Sequence, residues 1–140
     1  MPIAGPIIVV DDDFEDQEIF EDVLKELDIP NNVIFFQEGQ AVLDYLSNTS
    51  DKPFIIISDI NLSGRLTGLE LRAEIIKDNY LRRKSIPFVY LTTSNAIRIL
   101  NSAYEMEVQG FFLKQSSYNA IKAQIKMILE YWKLCEHPIV

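Results

Sequence analysis

Five polar side chains stand where short apolar runs of the sequence come to an end. Asp11 and Asp12 follow one such run, Asp59 follows another, and Thr92 and Lys114 follow two more. Carboxylates that share a cleft repel one another strongly unless a cation is present. Because the set offers oxygen donors and no His or Cys, it favours a hard ion, of which Mg²⁺ is the default. The residue types therefore predict an acidic site that binds Mg²⁺.

The same set of side chains is suited to phosphoryl transfer. Asp59 beside Mg²⁺ can act as a nucleophile toward an activated phosphoryl group, as in enzymes that form an aspartyl phosphate. A Lys ammonium and a Thr hydroxyl nearby would bind the phosphoryl oxygens. Taken singly, each residue is ordinarily a turn residue, a helix cap or a solvated charge. Their common position at the ends of the apolar runs is what favours a shared site.

Five short apolar runs predict the β-strands that position these side chains. The runs are dense in Ile, Val, Leu and Phe, which is typical of strands buried on both faces of a sheet. They cover residues 7–10, 33–36, 54–59, 88–91 and 111–113. Apolar residues at spacings of three and four predict five helices between and after the strands, the fourth from about residue 95 to residue 106. The basic stretch 78–85 is predicted to be a polar connection.

The alternation of strands and helices predicts a single α/β domain over residues 1–140, with its core at about residues 7–132. Such alternation implies a parallel sheet with helices on both faces. Two arrangements compete, the Rossmann half and the flavodoxin-like order 2-1-3-4-5. The fingerprint G-x-G-x-x-G is missing after the first strand, where acids stand instead, and this favours the flavodoxin-like five-stranded sheet. In that order the four polar strand ends converge on one edge.

Acidic residues are concentrated near the amino terminus. The net charge is −8, and residues 11–28 contain ten acids and one base, so this segment carries −9 and the rest about +1. Nucleic acids are bound through basic patches, so no direct nucleic-acid partner is predicted. No apolar run approaches the ~18 residues of a membrane span. The single Cys135 fits a reducing compartment, and we expect a cytoplasmic protein without membrane association.

Four motifs of the sequence are similar to those of a known family. They are Ile-Ile-Val-Val-Asp-Asp-Asp at 7–13, Ile-Ile-Ser-Asp-Ile-Asn at 56–61, Pro-Phe-Val-Tyr-Leu-Thr-Thr-Ser at 87–94 and Gly-Phe-Phe-Leu-Lys at 110–114. With these motifs the chain resembles the receiver domain of bacterial two-component response regulators, from Ile7 to about Trp132. The form that it resembles is the stand-alone receiver of the chemotaxis type.

The resemblance implies a role for each residue around the metal. Asp59 would be the phospho-acceptor and a metal ligand. Asp12 would bind Mg²⁺ directly, and Asn61 would give its backbone carbonyl to the ion. Asp11 would contact the metal through a bound water molecule.

The resemblance also implies three residues that respond to phosphorylation. Thr92 and Lys114 would bind the phosphoryl group. Phe111 occupies the position of the aromatic switch residue, which turns inward when Thr92 moves toward the phosphoryl oxygens. A partner protein would detect the change on the fourth helix, the fifth strand and the fifth helix.

The sequence departs from the family pattern at two places next to the site. Ser63 stands four residues after Asp59, where the family usually has Pro, and Gly68 comes nine residues after Asp59 rather than eight. We therefore expect the intervening loop to be one residue longer and less rigid. Gln115 stands where the family usually has Pro, so we expect Lys114 to enter the site differently. Neither change removes a reacting group, and phosphorylation is expected to survive.

Three functions are compatible with these residues. The first is a stand-alone switch that receives a phosphoryl group on Asp59 from a histidine kinase or phosphotransfer protein and then binds an unknown protein. No output domain is expected, because the chain ends soon after the last predicted helix. The second is a receiver-like scaffold that is not phosphorylated, which the changes near Asp59 favour. The third is a metal-dependent phosphohydrolase, but such enzymes usually carry an acid where this chain has Asn61. We expect the first, with at most slow autodephosphorylation.

Overall fold

Five parallel β-strands form one sheet in the computed structural model, which describes residues 5–137 except for the side chains of residues 94 and 95. The strands are β1 (Ile7–Val10), β2 (Val33–Phe36), β3 (Ile55–Ser58), β4 (Phe88–Thr92) and β5 (Gly110–Leu113). They are hydrogen-bonded in the order β2-β1-β3-β4-β5, and every neighbouring pair is parallel. The predicted fold class and strand order are confirmed.

The strands are aligned so that their carboxyl ends lie at one edge of the sheet. The last residues of β1 and β3 pair with each other, so Asp11 and Asp59 leave the sheet side by side. In β4, Thr92 pairs with the last residue of β5, after which comes Lys114. Both β1 and β3 are buried along their whole length, as their aliphatic composition predicts. The parallel register therefore brings the four polar strand ends to one edge.

Six α-helices flank the sheet in the described residues. They are α1 (Phe14–Glu26), α2 (Gly39–Asn48), α3 (Gly68–Lys77), α4 (Asn79–Lys84), α5 (Leu100–Glu105) and α6 (Tyr118–Leu134). The carboxylate of Asp13 caps α1 by accepting hydrogen bonds from the backbone N–H groups of Glu15 and Asp16. Helix α1 therefore begins directly at the sheet edge where the polar strand ends meet.

Two helical segments differ from the sequence prediction. The stretch predicted to be a polar connection contains α4, which Asp78 caps and which buries Leu81. The basic residues of this stretch led to the prediction of a polar connection. One of them, Lys84, is nevertheless buried, and its amine contacts the carbonyls of Thr49 and Asp51. The single helix predicted after β4 is instead a 3₁₀ segment over residues 94–99 followed by α5, and the backbone leaves helical geometry at Ile99 between them.

The helices bury one apolar cluster on each face of the sheet. Helices α2 to α5 cover one face, where Val42, Leu46, Leu71, Ile75 and Leu81 pack on the strands. Helices α1 and α6 cover the other face. On that face the packed residues include Phe20, Val23, Leu24, Ile125, Ile128 and Leu129. No helix in residues 5–137 combines the length and the hydropathy that a bilayer span requires.

Candidate functional site

Asp59 is held in a fixed orientation directly after β3. Its carboxylate Oδ1 accepts hydrogen bonds from the backbone N–H groups of Ile60, at 2.7 Å, and Asn61, at 3.3 Å. The same oxygen accepts a short hydrogen bond of 2.6 Å from the Thr92 hydroxyl. Its other oxygen, Oδ2, lies 2.8 Å from the ammonium of Lys114. With 7% of the residue exposed, these donors rather than water surround the carboxylate.

The Lys114 ammonium joins three carboxylates at the centre of the site. Its Nζ lies 2.9 Å from Asp11 Oδ2, 2.7 Å from Asp16 Oδ2 and 2.8 Å from Asp59 Oδ2. An ammonium has three N–H donors, so each carboxylate takes one of them. Burial alone would lower the pKa of Lys114, but the hydrogen bonds to the three carboxylates outweigh it and raise that pKa. The amine is therefore a permanent positive charge in the acidic site.

The Asp11 carboxylate is buried at the edge of the site. The residue is 6% exposed, and burial raises its pKa to about 6. Hydrogen bonds from the Asp13 backbone N–H and from Lys114 act in the opposite direction without restoring the ordinary value. A further cation at this edge of the sheet would relieve the cost of this buried charge.

Asp12 contacts the loop that follows Asp59 rather than the Lys114 ammonium. Its Oδ2 accepts a hydrogen bond of 2.9 Å from the backbone N–H of Ser63. Of the residues predicted for the site, Asp11, Asp59, Thr92 and Lys114 are thus brought together, while Asp12 is held beside them by the loop. Within residues 5–137 no group of three or more His, Cys, Asp or Glu is arranged to hold a metal ion.

The residues of the site nevertheless fit a hard divalent cation by their chemistry. The predicted ligand set needs only two direct carboxylates and a backbone carbonyl, because Mg²⁺ keeps several of its waters. The side chains that meet at this edge offer carboxylate oxygens, and a nearby cation would offset the desolvation that raises the pKa of the buried Asp11. The predicted ligand Asp12 accepts a hydrogen bond from the Ser63 N–H, a donor that the ion would replace.

The loop after Asp59 is hydrogen-bonded to two acids of the site, Asp59 and Asp12. The N–H groups of Asn61 and Ser63 donate to the carboxylates of Asp59 and Asp12, so the loop is hydrogen-bonded to the site at two points. It ends at Gly68, where a Cβ atom would lie 2.3 Å from the Asp59 carbonyl oxygen. Only glycine allows α3 to start this close to the end of β3.

Lys114 reaches the site although Gln115 follows it. The peptide bond between them is trans. The Lys114 backbone N–H donates to the Thr92 carbonyl at 2.7 Å, which continues the pairing of β4 and β5 beyond the last strand residue. This pairing directs the lysine stem toward Asp59, so the missing Pro does not keep the ammonium out of the site.

Phe111 lies one layer below the site, against the aromatic core. The ring is half-buried and makes an edge contact with Tyr90, with ring centroids 6.1 Å apart. Tyr90 is fully buried, and its hydroxyl donates to the Gly68 carbonyl at 2.9 Å. Tyr90 therefore connects Gly68, at the end of the loop after Asp59, to Phe111, the predicted switch residue. The sequence did not indicate this connection.

Asp16 is a site residue that the sequence analysis missed. Acids in a first helical turn commonly do no more than favour the helix terminus, so its residue type does not indicate a role in the site. The position of Asp16 could have indicated its role in the site. A helix that starts at the acidic edge holds the side chains of its first turn near that edge. The structure adds it as a third carboxylate on Lys114.

The fold and the site together define a class of protein. It is a flavodoxin-like α/β domain whose carboxyl sheet edge carries buried acids, a hydroxyl and an ammonium. A family model for the response regulator receiver domain matches residues 7–126, and the chain belongs to this family. The match confirms the family resemblance that the sequence motifs indicated. Members of this family are phospho-accepting switches of two-component systems and not enzymes in the ordinary sense.

Two relatives are similar to the chain over most of its length. Response regulator Rcp1 of Synechocystis sp. is 29% identical over 131 residues, which cover 90% of this chain and 87% of the relative. The probable methanogenesis regulatory protein FilR2 of Methanothrix harundinacea is 28% identical, with coverage of 90% and 82%.

Solved structures of similar proteins contain a metal and a phosphoryl group. The Mn²⁺-bound form of Rcp1 is 28% identical, with a TM-score of 0.83 and coverage of 96% of this chain and 99% of that one. The phosphorylated cyanobacterial phytochrome response regulator RcpA is 27% identical, with a TM-score of 0.84 and coverage of 97% and 99%. Divalent metal binding and phosphorylation thus occur in proteins of this fold and family.

Proposed function

We propose that Asp59 accepts a phosphoryl group from a histidine kinase or a phosphotransfer protein, and that the modified receiver then binds another protein. One observation carries the proposal: the buried Asp59 carboxylate lies between the Thr92 hydroxyl, at 2.6 Å, and the Lys114 ammonium, at 2.8 Å. Both groups that would bind a phosphoryl group are therefore beside the nucleophile before a donor arrives. The phosphorylated relative RcpA supports the same assignment.

The oxygen of Asp59 that we assign as the nucleophile is Oδ2. Three hydrogen bonds on Oδ1 fix the carboxylate, whereas Oδ2 is in contact with Lys114. Oδ2 attacks the phosphorus of a phosphohistidine, the P–N bond breaks, and the leaving imidazole keeps the electron pair and takes up a proton. Lys114 and Thr92 donate to the phosphoryl oxygens and stabilise the charge that develops there.

The cofactor in this proposal is Mg²⁺, held by Asp12, Asp59 and the backbone carbonyl of Asn61, with Asp11 acting through a water. Support comes from the oxygen-only donor set, the raised pKa of Asp11 and the Mn²⁺-bound relative Rcp1. The ion, when bound, supplies positive charge that neutralises the phosphoryl oxygens. The task of Asp12 is then to exchange the N–H of Ser63 for the ion.

The proposed switch runs from Thr92 to a surface formed by the 3₁₀ segment, α5, β5 and α6. When the Thr92 hydroxyl turns from Asp59 to a phosphoryl oxygen, it leaves space toward which Phe111 can rotate. The exposed apolar side chains on this surface include Ile97, 53% exposed, and Tyr104, 50% exposed. We propose that the downstream partner is a protein that covers these two side chains.

We propose that the receiver acts as a stand-alone, single-domain protein of the cytoplasm. Support comes from the matched structures of Rcp1 and RcpA, each of which is covered over 99% of its solved chain. The single cysteine of the chain, Cys135, is in keeping with a reducing compartment.

Labelling with a small phosphodonor tests the proposed function. Wild-type protein incubated with acetyl phosphate and Mg²⁺ should gain the mass of one phosphoryl group, and EDTA should prevent the gain. Asp59→Asn should remain unlabelled, whereas Glu130→Gln, which changes an exposed acid on α6, should be labelled like the wild type. A wild type that gains no mass would contradict the proposal and favour the scaffold that is not phosphorylated.

A further inference from the structure

We propose that Asp16 is a positioning residue that holds the Lys114 ammonium over Asp59 during phosphoryl transfer. The inference rests on the proposed function of Asp59. Asp16 Oδ2 lies 2.7 Å from Lys114 Nζ, which is the shortest of the three ion-pair distances of this ammonium. The contact joins the first turn of α1 to the end of β5, across 98 residues of sequence.

The other two acids on Lys114 have further tasks in the reaction. Asp59 receives the phosphoryl group, after which Oδ2 is bound to phosphorus in a mixed anhydride and no longer carries the charge that attracts the ammonium. Asp11 is assigned to the metal through a water. Asp16 is the carboxylate of the three to which neither task falls, and its charge persists from the resting state to the phosphorylated state.

Lys114 needs such an anchor because its side chain is long and flexible. A lysine ammonium on a four-carbon stem loses considerable rotamer freedom when it is fixed, so its position depends on its partners. In the resting state its three N–H groups are divided among three carboxylates. When one N–H turns to a phosphoryl oxygen and Asp11 serves the metal, the bond to Asp16 still fixes the amine beside the reacting group.

The placement of Asp16 suits this task. Its side chain is 36% exposed, whereas those of Asp11 and Asp59 are 9% and 8% exposed. Asp16 therefore stands at the rim of the site and the other two acids lie at its floor. The backbone of Asp16 is fixed in turn by the N-cap Asp13, whose Oδ1 accepts its N–H at 3.3 Å.

Positioning and simple charge predict changes of opposite sign when Asp16 is neutralised. Acetyl phosphate is an anion, so the loss of one negative charge at the rim would by itself ease its approach and speed labelling. The loss of an anchor would instead leave the ammonium misplaced and slow the chemical step. At saturating donor an easier approach no longer changes the rate, so a fall in the maximal labelling rate indicates the loss of an anchor.

The test measures the maximal rate of labelling by acetyl phosphate at saturating Mg²⁺ and saturating donor. Asp16→Asn should label more slowly than the wild type by on the order of tenfold. Asp16→Glu keeps the charge and should recover most of the rate. Glu15→Gln is the matched control, because it removes an exposed acid from the same helical turn and should not slow labelling. A rate for Asp16→Asn equal to or above that of the wild type would overturn the proposal.

A second arm asks whether Asp16 acts through Lys114. In a Lys114→Met background, Asp16→Asn should cause no further slowing, because the amine that it positions is gone. An equal slowing in both backgrounds would show that Asp16 acts otherwise, and the proposal would be wrong. A wild type that is not labelled at all would instead overturn the proposed function of Asp59 and this role with it, so the two failures are distinguishable.

Discussion

Thr92 connects the end of β4 to the candidate phospho-acceptor through a single short hydrogen bond. Its side chain is fully buried, and Oγ1 lies 2.6 Å from Asp59 Oδ1. A hydrogen bond to a charged group contributes about 1.5–3 kcal/mol, more than a bond between neutral groups. The hydroxyl that we assign to the switch therefore also stabilises the resting fold.

Replacing the hydroxyl should separate these two contributions. Thr92→Val keeps the shape but removes the donor, and we expect it to lower the free energy of unfolding by about 1.5–3 kcal/mol. Thr92→Ser keeps the hydroxyl and loses one methyl group, which should cost roughly 0.5–1.5 kcal/mol. Urea denaturation of the metal-free protein, followed by circular dichroism, measures both. A Thr92→Val variant as stable as the wild type would show that the hydrogen bond contributes nothing.

Four residues of the site could be predicted from the sequence for a simple reason. Asp11, Asp59, Thr92 and Lys114 each stand at the end of a strand, and the parallel pairing of those strands fixes where the ends lie. Asp16 could not be predicted in this way, because its position depends on the angle at which α1 leaves the sheet. That angle is set by the packing of α1 on β1, β3 and α6, and not by a local pattern of residues.

At the scale of the elements, the junction of β3, its loop and α3 determines where Asp59 lies. The Gly68 N–H donates to the Ile60 carbonyl at 2.7 Å, so the first residue of α3 contacts the backbone directly after Asp59. Thr67 and Glu70 form a capping box that fixes the start of the helix. Because the neighbours of Gly68 are backbone atoms, they cannot move aside as a side chain would.

Gly68→Ala should therefore be more disruptive than an ordinary glycine substitution in a helix. The new Cβ would lie 2.3 Å from the Asp59 carbonyl oxygen and 2.7 Å from Ile60 Cα. Overpacking of this kind typically costs about 1–3 kcal/mol of stability, and the displaced Asp59 should also be labelled more slowly. Gly39→Ala is the control, because its Cβ meets only side-chain atoms, at 3.1 Å or more. Equal effects of the two variants on unfolding and labelling would contradict this explanation.

Elements were predicted well where an apolar pattern dominates and poorly where it does not. The five strands carry dense Ile, Val, Leu and Phe, and each was found near its predicted place. Helix α4 was missed because it presents a single large apolar residue, Leu81, to the core while basic residues fill its last turn. The spacing of apolar residues predicted one helix there and did not indicate the division between the 3₁₀ segment and α5 at Ile99.

At the scale of the whole molecule, the balance of charge makes a bound cation stabilising. Residues 11–28 carry a charge of −9, whereas the whole chain has a net charge of −8. At the sheet edge, Lys114 compensates only part of the negative charge. A ligand that binds the folded but not the unfolded chain stabilises it by mass action. The proposed Mg²⁺ site should therefore be visible in the thermal stability of the protein without any phosphodonor.

Mg²⁺ should raise the melting temperature in a way that depends on Asp12. At 100 times its dissociation constant the ion contributes about 2.7 kcal/mol, which corresponds to roughly 5–15 °C for a chain of this length. Asp12→Ala, which removes one direct ligand, should lose most of this shift, and Glu130→Gln should keep it. Scanning calorimetry at constant ionic strength measures the shift. The same shift in Asp12→Ala and wild type would place the ion elsewhere.

Of the 21 acidic residues of the chain, Asp59 is the one that we expect to be phosphorylated. Reduction of an aspartyl phosphate with borohydride converts that residue to homoserine, which peptide mass spectrometry locates after labelling with acetyl phosphate and Mg²⁺. We predict homoserine at residue 59 and at no other acid. Homoserine at Asp11, Asp12 or Asp16, or an unmodified Asp59 in labelled protein, would contradict this account of the site.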